Sequence, residues 1–163
     1  MAVPAEPNSE AMRANAANLG AVLDFLHVMT YDFTGSWTTR LAPVSGVGES
    51  KESLYGWALV PRKKLMLGSA WYGRIMRVEN GKAVSWEDIA YSEAQGATPG
   101  WIDSWLDGCR WQTSPDSSRV ATYEDRRTVQ DKMQVVKDMG LGGIFCWEWS
   151  QDNGDLASVF LAR

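Results

Sequence analysis

The chain is 163 residues long, 45% hydrophobic and 22% charged, with a formal net charge of −4; that profile fits one sizeable core and argues against disorder or a basic nucleic-acid-binding surface. No apolar run approaches the roughly 18 to 20 residues that cross a bilayer, and the opening MAVPAEPNSE lacks the basic flank and apolar centre of a secretory leader. One histidine and two cysteines, with no pair at ligand spacing, offer no zinc site.

MAVPA reads as a short first strand, and Asn8 or Ser9 is placed to cap a helix through EAMRANAANLGAVL. Phe25 to Tyr31 is a second strand, apolar at nearly every position, as expected when both faces of a parallel sheet are covered. After the Gly- and Ser-rich loop APVSGVGES, KESLYGWALV has a helical pattern that stops before Pro61. KKLMLGSAWY is a third strand. From Ile75 to Ala121 the text turns irregular and carries Trp86, Trp101, Trp105 and Trp111; a stretch of that length is read as a functional insertion. Thr128 then opens the helix TVQDKMQVVKDMG with a side-chain cap and Asp131 three residues on. Val129, Met133 and Val136 keep helical spacing and Gly140 ends the helix. GIFCWEW is a fourth buried strand and GDLASVFLA a short closing helix.

Strands alternating with helices predict an α/β fold with a parallel sheet and crossover helices. Four such units are half of a TIM (β/α)8 barrel, which typically takes about 250 residues, or a small open sheet. Cys109 and Cys146 are either one disulfide or free thiols; Cys146 sits inside an apolar strand pattern and is read as a buried free thiol.

Ligands bind at the carboxyl ends of strands in such folds, and here those ends share a chemistry. The second strand ends in Met29, Tyr31 and Asp32, the third in Trp71, Tyr72 and Arg74, and the fourth in Trp147 and Glu148, with Asp152 just beyond. By strand alternation His27, Met29 and Tyr31 share one face of their strand while Val28 and Thr30 share the other, and Phe145 and Trp147 likewise share a face of theirs. Each side chain alone has a plain structural role open to it; three neighbouring ends of aromatic plus polar groups point to a site. His27 lies deeper and is read as a core histidine. Nine tryptophans against one histidine add to the case, since indole faces stack on sugar rings as well as filling cores.

Together LDFLHVMTYDFTGSW, KKLMLGSAWYGR and GLGGIFCWEWSQDNGDL resemble glycoside hydrolase family 18, the chitinases and their relatives. Met-Thr-Tyr-Asp is similar to the family's sixth barrel strand, Trp-Tyr-Gly-Arg to its seventh and Gly-Gly-Ile-Phe-Cys-Trp to its eighth, while TYEDRRTVQDK resembles the lead into its seventh helix. The resemblance covers residues 1–163 as a partial catalytic domain, strands five to eight, with an insertion at about 75–121. It implies that Tyr31 hydrogen-bonds the substrate's acetamido group, that Asp32 holds the same sugar, and that Trp147 floors the sugar being cleaved. Met29 would line that pocket, with Trp71, Tyr72, Arg74 and Glu148 as further substrate-binding candidates.

The family's general acid, a glutamate ending Asp-x-x-Asp-x-Asp-x-Glu, is absent: Asp152 and Asp155 have the first interval, and the series stops at Ala157. Glu148 follows Trp147 directly and should face the other way along the strand. The expectation is therefore the C-terminal half of a chitinase-like domain, truncated or naturally half-sized, inactive alone. In the intact parent it would hydrolyse β-1,4-linked N-acetylglucosamine polymers by the substrate-assisted retaining route. The alternative is a lectin-like module that binds chitin without cutting it. The implied partners are chitin or another N-acetylglucosamine-containing glycan, and the complementary half-barrel or a second copy pairing with the open strand edges. No cofactor, nucleic acid or membrane is implied, and the resemblance implies a secreted parent. The insertion, shorter than the long α+β insertion of the family's processive members, suggests a shallow, open cleft and an endo-acting parent.

Overall fold

The computed structural model describes residues 1–7, 9–35, 37–96 and 98–162; Asn8, one of the two cap candidates for the first helix, lies outside them. Four strands, β1 (Ala2–Pro4), β2 (Leu26–Met29), β3 (Leu65–Ala70) and β9 (Gly143–Trp147), form a parallel sheet in that order. Helices α1 (Glu10–Val22) and α2 (Val47–Tyr55) make its first two crossovers; α4 (Arg126–Met139) leads into β9 and α5 (Asp155–Leu161) follows it. The mixed α/β class with a parallel sheet is thus as the alternating pattern predicts.

The sheet has unequal faces. Leu26, Val28, Leu65 and Leu67 are all but fully buried against Ala16 of α1, Leu54 of α2 and Trp57 just after it; each such leucine stabilises the fold by about 1.5–3 kcal/mol relative to exposure. The opposite face, carrying His27, Met29, Met66 and Phe145, is only half-buried. The expectation that the second strand is covered on both faces is corrected accordingly, and β2 is also shorter, with Phe25 48% exposed and Tyr31 just beyond its end.

The region expected to be irregular is a folded unit. Strands β4 (Tyr72–Glu79), β5 (Lys82–Ala90), β6 (Ile102–Leu106), β7 (Cys109–Thr113) and β8 (Arg119–Tyr123) form an antiparallel sheet ordered β5-β4-β8-β7-β6, with a turn of helix, α3 (Tyr91–Ala94). The third predicted strand is accordingly two: β3 ends at Ala70, Trp71 turns the chain, and Tyr72 begins the second sheet. β5 is mostly exposed, so its sequence KAVSWEDIA shows no apolar run.

Two helix starts also differ from expectation. α4 is capped by Asp125, which accepts from Arg127 N (2.9 Å) and Thr128 N (3.1 Å), while Thr128 Oγ1 accepts from Asp125 N (3.2 Å). Thr128 is the inner half of the capping box rather than the cap. α2 begins within the Gly- and Ser-rich stretch because its first amides, Gly48 N and Glu49 N, donate to Asp107 of the insertion at 2.8 and 3.0 Å. Asp107 turns the β6–β7 hairpin and so pins it to α2. Both cysteines are free; Cys109 is the buried one and Cys146 is half-buried.

Candidate active site

Tyr31 and Asp32 leave the end of β2 where Thr30 is held on both sides. Thr30 Oγ1 donates to Gly68 O (2.8 Å) and accepts from Gly68 N (2.9 Å), and Ser45 Oγ and Ser50 Oγ both donate to Thr30 O. Gly68 has to be glycine: a Cβ there would sit 2.8 Å from Val28 O and 2.9 Å from the Tyr31 ring. The ring packs edge-on to Tyr72 and Phe145, at centroid distances of 6.4 and 6.2 Å. Asp32 takes φ +61°, a left-handed conformation that aspartate tolerates better than most residues.

The next strand pair meets that turn. Tyr72 Oη donates to Asp32 Oδ1 at 2.6 Å, and Arg74 donates to the same oxygen at 2.8 Å. Arg74 is itself forked onto Asp88 (2.6 and 3.0 Å) and also donates to Thr34 O. Its side chain is 3% exposed. Burial works against the guanidinium's charge, and the hydrogen bonds and charges of Asp88 and Asp32 outweigh it and hold its pKa above the ordinary value. Asp32 Oδ2 has no protein hydrogen bond among the described residues, which leaves one carboxylate oxygen to accept from a ligand.

These groups surround a pocket of about 300 Å³ lined by Met29, Tyr31, Asp32, Tyr72, Asp88, Trp147 and Gln151. A second cavity of about 530 Å³ shares Met29, Tyr31 and Asp32 and continues past Phe33 to Trp37 and Glu49. Trp147 stands at the end of β9, 56% exposed. Desolvation, then the nearby Asp32 and Cys146, push the Tyr31 phenol up to about 12, and burial beside Asp32 pushes Tyr72 up further. Both hydroxyls stay protonated donors at neutral pH.

The structure brings together Met29, Tyr31, Asp32, Tyr72 and Trp147, with Arg74 behind Asp32 rather than on the pocket wall. Trp71 and Glu148, expected beside them, lie elsewhere. Trp71 is 0% exposed in a core with Tyr91, Tyr123 and Leu156, its indole N–H donating to Ser69 Oγ at 3.1 Å; the chain turns at this residue and sends its side chain inward. Glu148 follows Trp147 off the strand end and accepts from Ser150 Oγ at 2.6 Å, outside the pocket lining.

Asp88 and Gln151 escaped the sequence reading. Asp88 lies in the stretch taken as irregular, and only the need of a buried arginine for a carboxylate could have found it. A buried ion pair was missed too. Lys132 and Glu124, both 0% exposed, meet at 2.7 Å. Lys132 Nζ also donates to Gly68 O (3.0 Å) and Ser45 Oγ, while Glu124 accepts from Ala70 N (2.7 Å) and Ser69 Oγ (2.6 Å). The pair therefore ties α4 to the backbone just ahead of Tyr72, and through Gly68 and Ser45 to Thr30, just ahead of Tyr31.

The model of glycosyl hydrolases family 18 matches residues 1–152. Endochitinase 1 of Metarhizium anisopliae is 26% identical over 181 residues, which cover 98% of this chain and 43% of that protein. The class V chitinase from Nicotiana tobaccum has the same fold, with a TM-score of 0.83 at 24% identity over 97% of this chain and 53% of that one. A plant class V chitinase mutant from Cycas revoluta, solved in complex with (GlcNAc)3, gives 0.79 at 23% identity with the same coverage. The chain thus spans about half the length of these relatives. With a family match that runs from the first strand past the last, and a pocket built where such folds bind, this chain belongs to glycosyl hydrolase family 18.

Proposed function

We propose that the chain is the sugar-gripping half of a chitinase-like catalytic domain, strands five to eight of a barrel, acting on β-1,4-linked N-acetylglucosamine polymers. The observation that carries this is the convergence of Tyr31, Asp32 and Trp147 on one pocket, with Asp32 held by Tyr72 and Arg74. In a substrate-assisted reaction the acetamido oxygen attacks the anomeric carbon. A protonated phenol orients that oxygen, the open oxygen of Asp32 accepts a hydrogen bond from the same sugar, and the half-exposed indole of Trp147 supports the ring. Fixing the internal nucleophile in attack geometry is the contribution such groups make.

The leaving oxygen needs a proton, and no Asp-x-x-Asp-x-Asp-x-Glu is present to give it. A general acid typically contributes a hundred- to ten-thousandfold, so the chain alone binds and does not cut. In this reading a complementary segment bearing the motif closes the barrel and supplies the acid, and the parent is secreted to reach its polymer. The test is hydrolysis of chitooligosaccharides by the chain alone and after addition of strands one to four of a family member. The expected result is no turnover alone and turnover on mixing, lowered sharply by Tyr31→Phe. Robust turnover by the isolated chain refutes the proposal. Binding in the absence of turnover, even with the complement, is the outcome that favours a lectin-like module instead.

A further inference from the structure

The antiparallel sheet has two outer strands, and they are finished differently. β5 carries devices that keep an edge from pairing. Its register with β4 sets Arg77 opposite Ser85 and Val78 opposite Ala83, so Val84 is the extra residue of a β-bulge. Lys82 stands at its start, and Ala83 N is taken by Thr39 O at 3.0 Å. β6, with the sequence IDSWL, pairs with β7 without a bulge and holds no proline or lysine. Its one charge, Asp103, is already paired with Arg110. The far side of β6 meets no strand among the described residues, and Ile102 and Leu106 are 63% and 41% exposed. In the proposed barrel the outer strands of the parallel sheet, β1 and β9, belong to the complementary segment, which leaves β6 as the open edge.

The groups that β6 offers follow from its hairpin. Asp107 and Gly108, at φ +46° and +77°, form a two-residue turn, so Leu106 and Cys109 exchange hydrogen bonds, and such pairs recur at every second residue. Ile102, Ser104 and Leu106 therefore aim N–H and C=O at β7, while Asp103 and Trp105 aim theirs outward. Side chains alternate as well: Ile102, Ser104 and Leu106 share one face, Asp103 and Trp105 the other. On that second face Trp105 lies against two guanidiniums, those of Arg110 and Arg127, at 4.5 and 4.8 Å from its ring centroid. Arg110 is bonded to Asp103 and Asp125. The side chain of Arg127, 68% exposed, has Asp131 alone, at 3.9 Å, among the described residues.

A second β6 fits this edge in one register. Antiparallel pairing centred on Ser104 sets Asp103 opposite Trp105 of the other copy, so the outward groups of both strands meet each other. All five residues pair, Ile102 of each copy lies against Leu106 of the other, and Asp103 arrives beside the other copy's Arg127. Centring on Asp103 would set two Asp103 carboxylates opposite each other, and centring on Trp105 would set Asp103 opposite Asp107. Each of those registers pairs fewer residues of β6 and juxtaposes like charges, which destabilises a sheet. Registers halfway between face outward groups with inward ones and close no ladder.

We propose that β6 is a self-association edge, at which two copies of this chain join their five-stranded sheets about a twofold axis at Ser104. The proposal does not depend on the reading of the pocket. Its test is sedimentation equilibrium of the full chain from about 5 to 500 μM, a range that spans the dissociation of small interfaces, beside Asp103→Pro and Ile102→Lys. Asp103→Pro removes an outward N–H and leaves the bonds to β7 in place. Ile102→Lys changes one exposed side chain. The expected result is a monomer–dimer equilibrium, with a dissociation constant raised about tenfold or more in each variant. The register is read by oxidation in a Cys146→Ser background, Cys109 being buried. Ser104→Cys is expected to give a disulfide-linked dimer, since opposed residues at a non-hydrogen-bonded position stand about 4.5 Å apart. Asp103→Cys, diagonal to its own copy, is not. A monomer at every concentration overturns the proposal, and so does a dimer indifferent to both β6 variants, because the contact then lies on another edge. Cross-linking of Asp103→Cys as fast as Ser104→Cys overturns it too.

Discussion

Replacing Lys132 with methionine removes one charge from the best-enclosed ion pair among the described residues and leaves Glu124 behind. The two groups are 0% exposed and 2.7 Å apart, a separation at which their attraction is about 6 kcal/mol at an effective dielectric of ~20. Most of that is offset by the cost of drying both ions, so the whole attraction is not what the mutation removes. What it removes is the compensation: Glu124 keeps Ser69 Oγ and Ala70 N as donors but has lost its counter-ion at a position that is 0% exposed to solvent. Breaking such a pair from one side costs about 3–5 kcal/mol. At about 2–4 °C per kcal/mol for a chain of this size, the melting temperature falls by about 6–20 °C. Adding Glu124→Gln takes away the stranded charge while keeping most of its shape, so the double variant is expected to recover at least about 2 kcal/mol of the loss. Urea unfolding of the parent, both single variants and the double completes the cycle. A loss below about 1 kcal/mol in Lys132→Met, or a double variant no more stable than that single one, would refute the reasoning.

Other expectations follow from the same contacts. Tyr31→Phe deletes one hydrogen bond to ligand, worth about 0.5–1.5 kcal/mol, and is expected to weaken N-acetylglucosamine oligomers by roughly two- to tenfold in calorimetry with an unchanged melting temperature. Asp125→Ala removes the cap of α4, and its expected cost is about 1 kcal/mol in denaturant titration, with Asp125→Asn losing less. Burial raises the phenols of Tyr31, Tyr72, Tyr91 and Tyr123 above their ordinary value of 10.0. Their stabilising contribution is complete below about pH 10, where the unfolded chain also keeps the protons, and is lost as pH rises toward the folded values. Melting temperatures should therefore drop above pH 10, and in a Tyr55→Phe variant, which removes the exposed fifth tyrosine, absorbance at the tyrosinate band should rise together with unfolding rather than before it.

The parallel sheet was legible because its signal is local. Leu26, Val28, Leu65 and Leu67 sit in short apolar runs, and the caps and breakers at Ser9, Pro61 and Gly140 are neighbours of the elements they bound. The insertion was not, because an exposed antiparallel sheet spreads its few buried residues among polar ones. It did carry one local clue: Asn80-Gly81 and Asp107-Gly108, both at positive φ, are the dipeptides that type I′ hairpins require. The start of α2 was illegible for a different reason, since its capping group, Asp107, comes from 58 to 59 residues downstream. At the site, Tyr31, Asp32 and Trp147 could be placed because each ends a strand of the parallel sheet. The exchange of Trp71 for Asp88 as a neighbour of the pocket could not. It depends on where the chain turns from one sheet into the other, and a reading that joins Ala70, Trp71 and Tyr72 into one strand cannot see the turn.

That turn gives the insertion its meaning. Tyr72, Arg74 and Asp88 all belong to the antiparallel sheet, while Met29, Tyr31 and Trp147 belong to the ends of the parallel one. Asp32 is the point where the two sheets touch the same atom, since Oδ1 receives both Tyr72 and Arg74. Each fixes the other: the carboxylate compensates a guanidinium that is 3% exposed, and the guanidinium, forked on Asp88, prevents the left-handed turn at Asp32 from rotating its open oxygen out of the pocket. In the proposed reading, an insertion that merely walled a cleft could be shortened at no cost to the gripping of the acetamido group. One that supplies both donors to Asp32 cannot, so trimming β5 at Asp88 should loosen Asp32 and Tyr31 together even though neither lies in the trimmed segment. In the proposed reading the grip on the sugar is a property of the junction between the sheets, and neither sheet carries it alone.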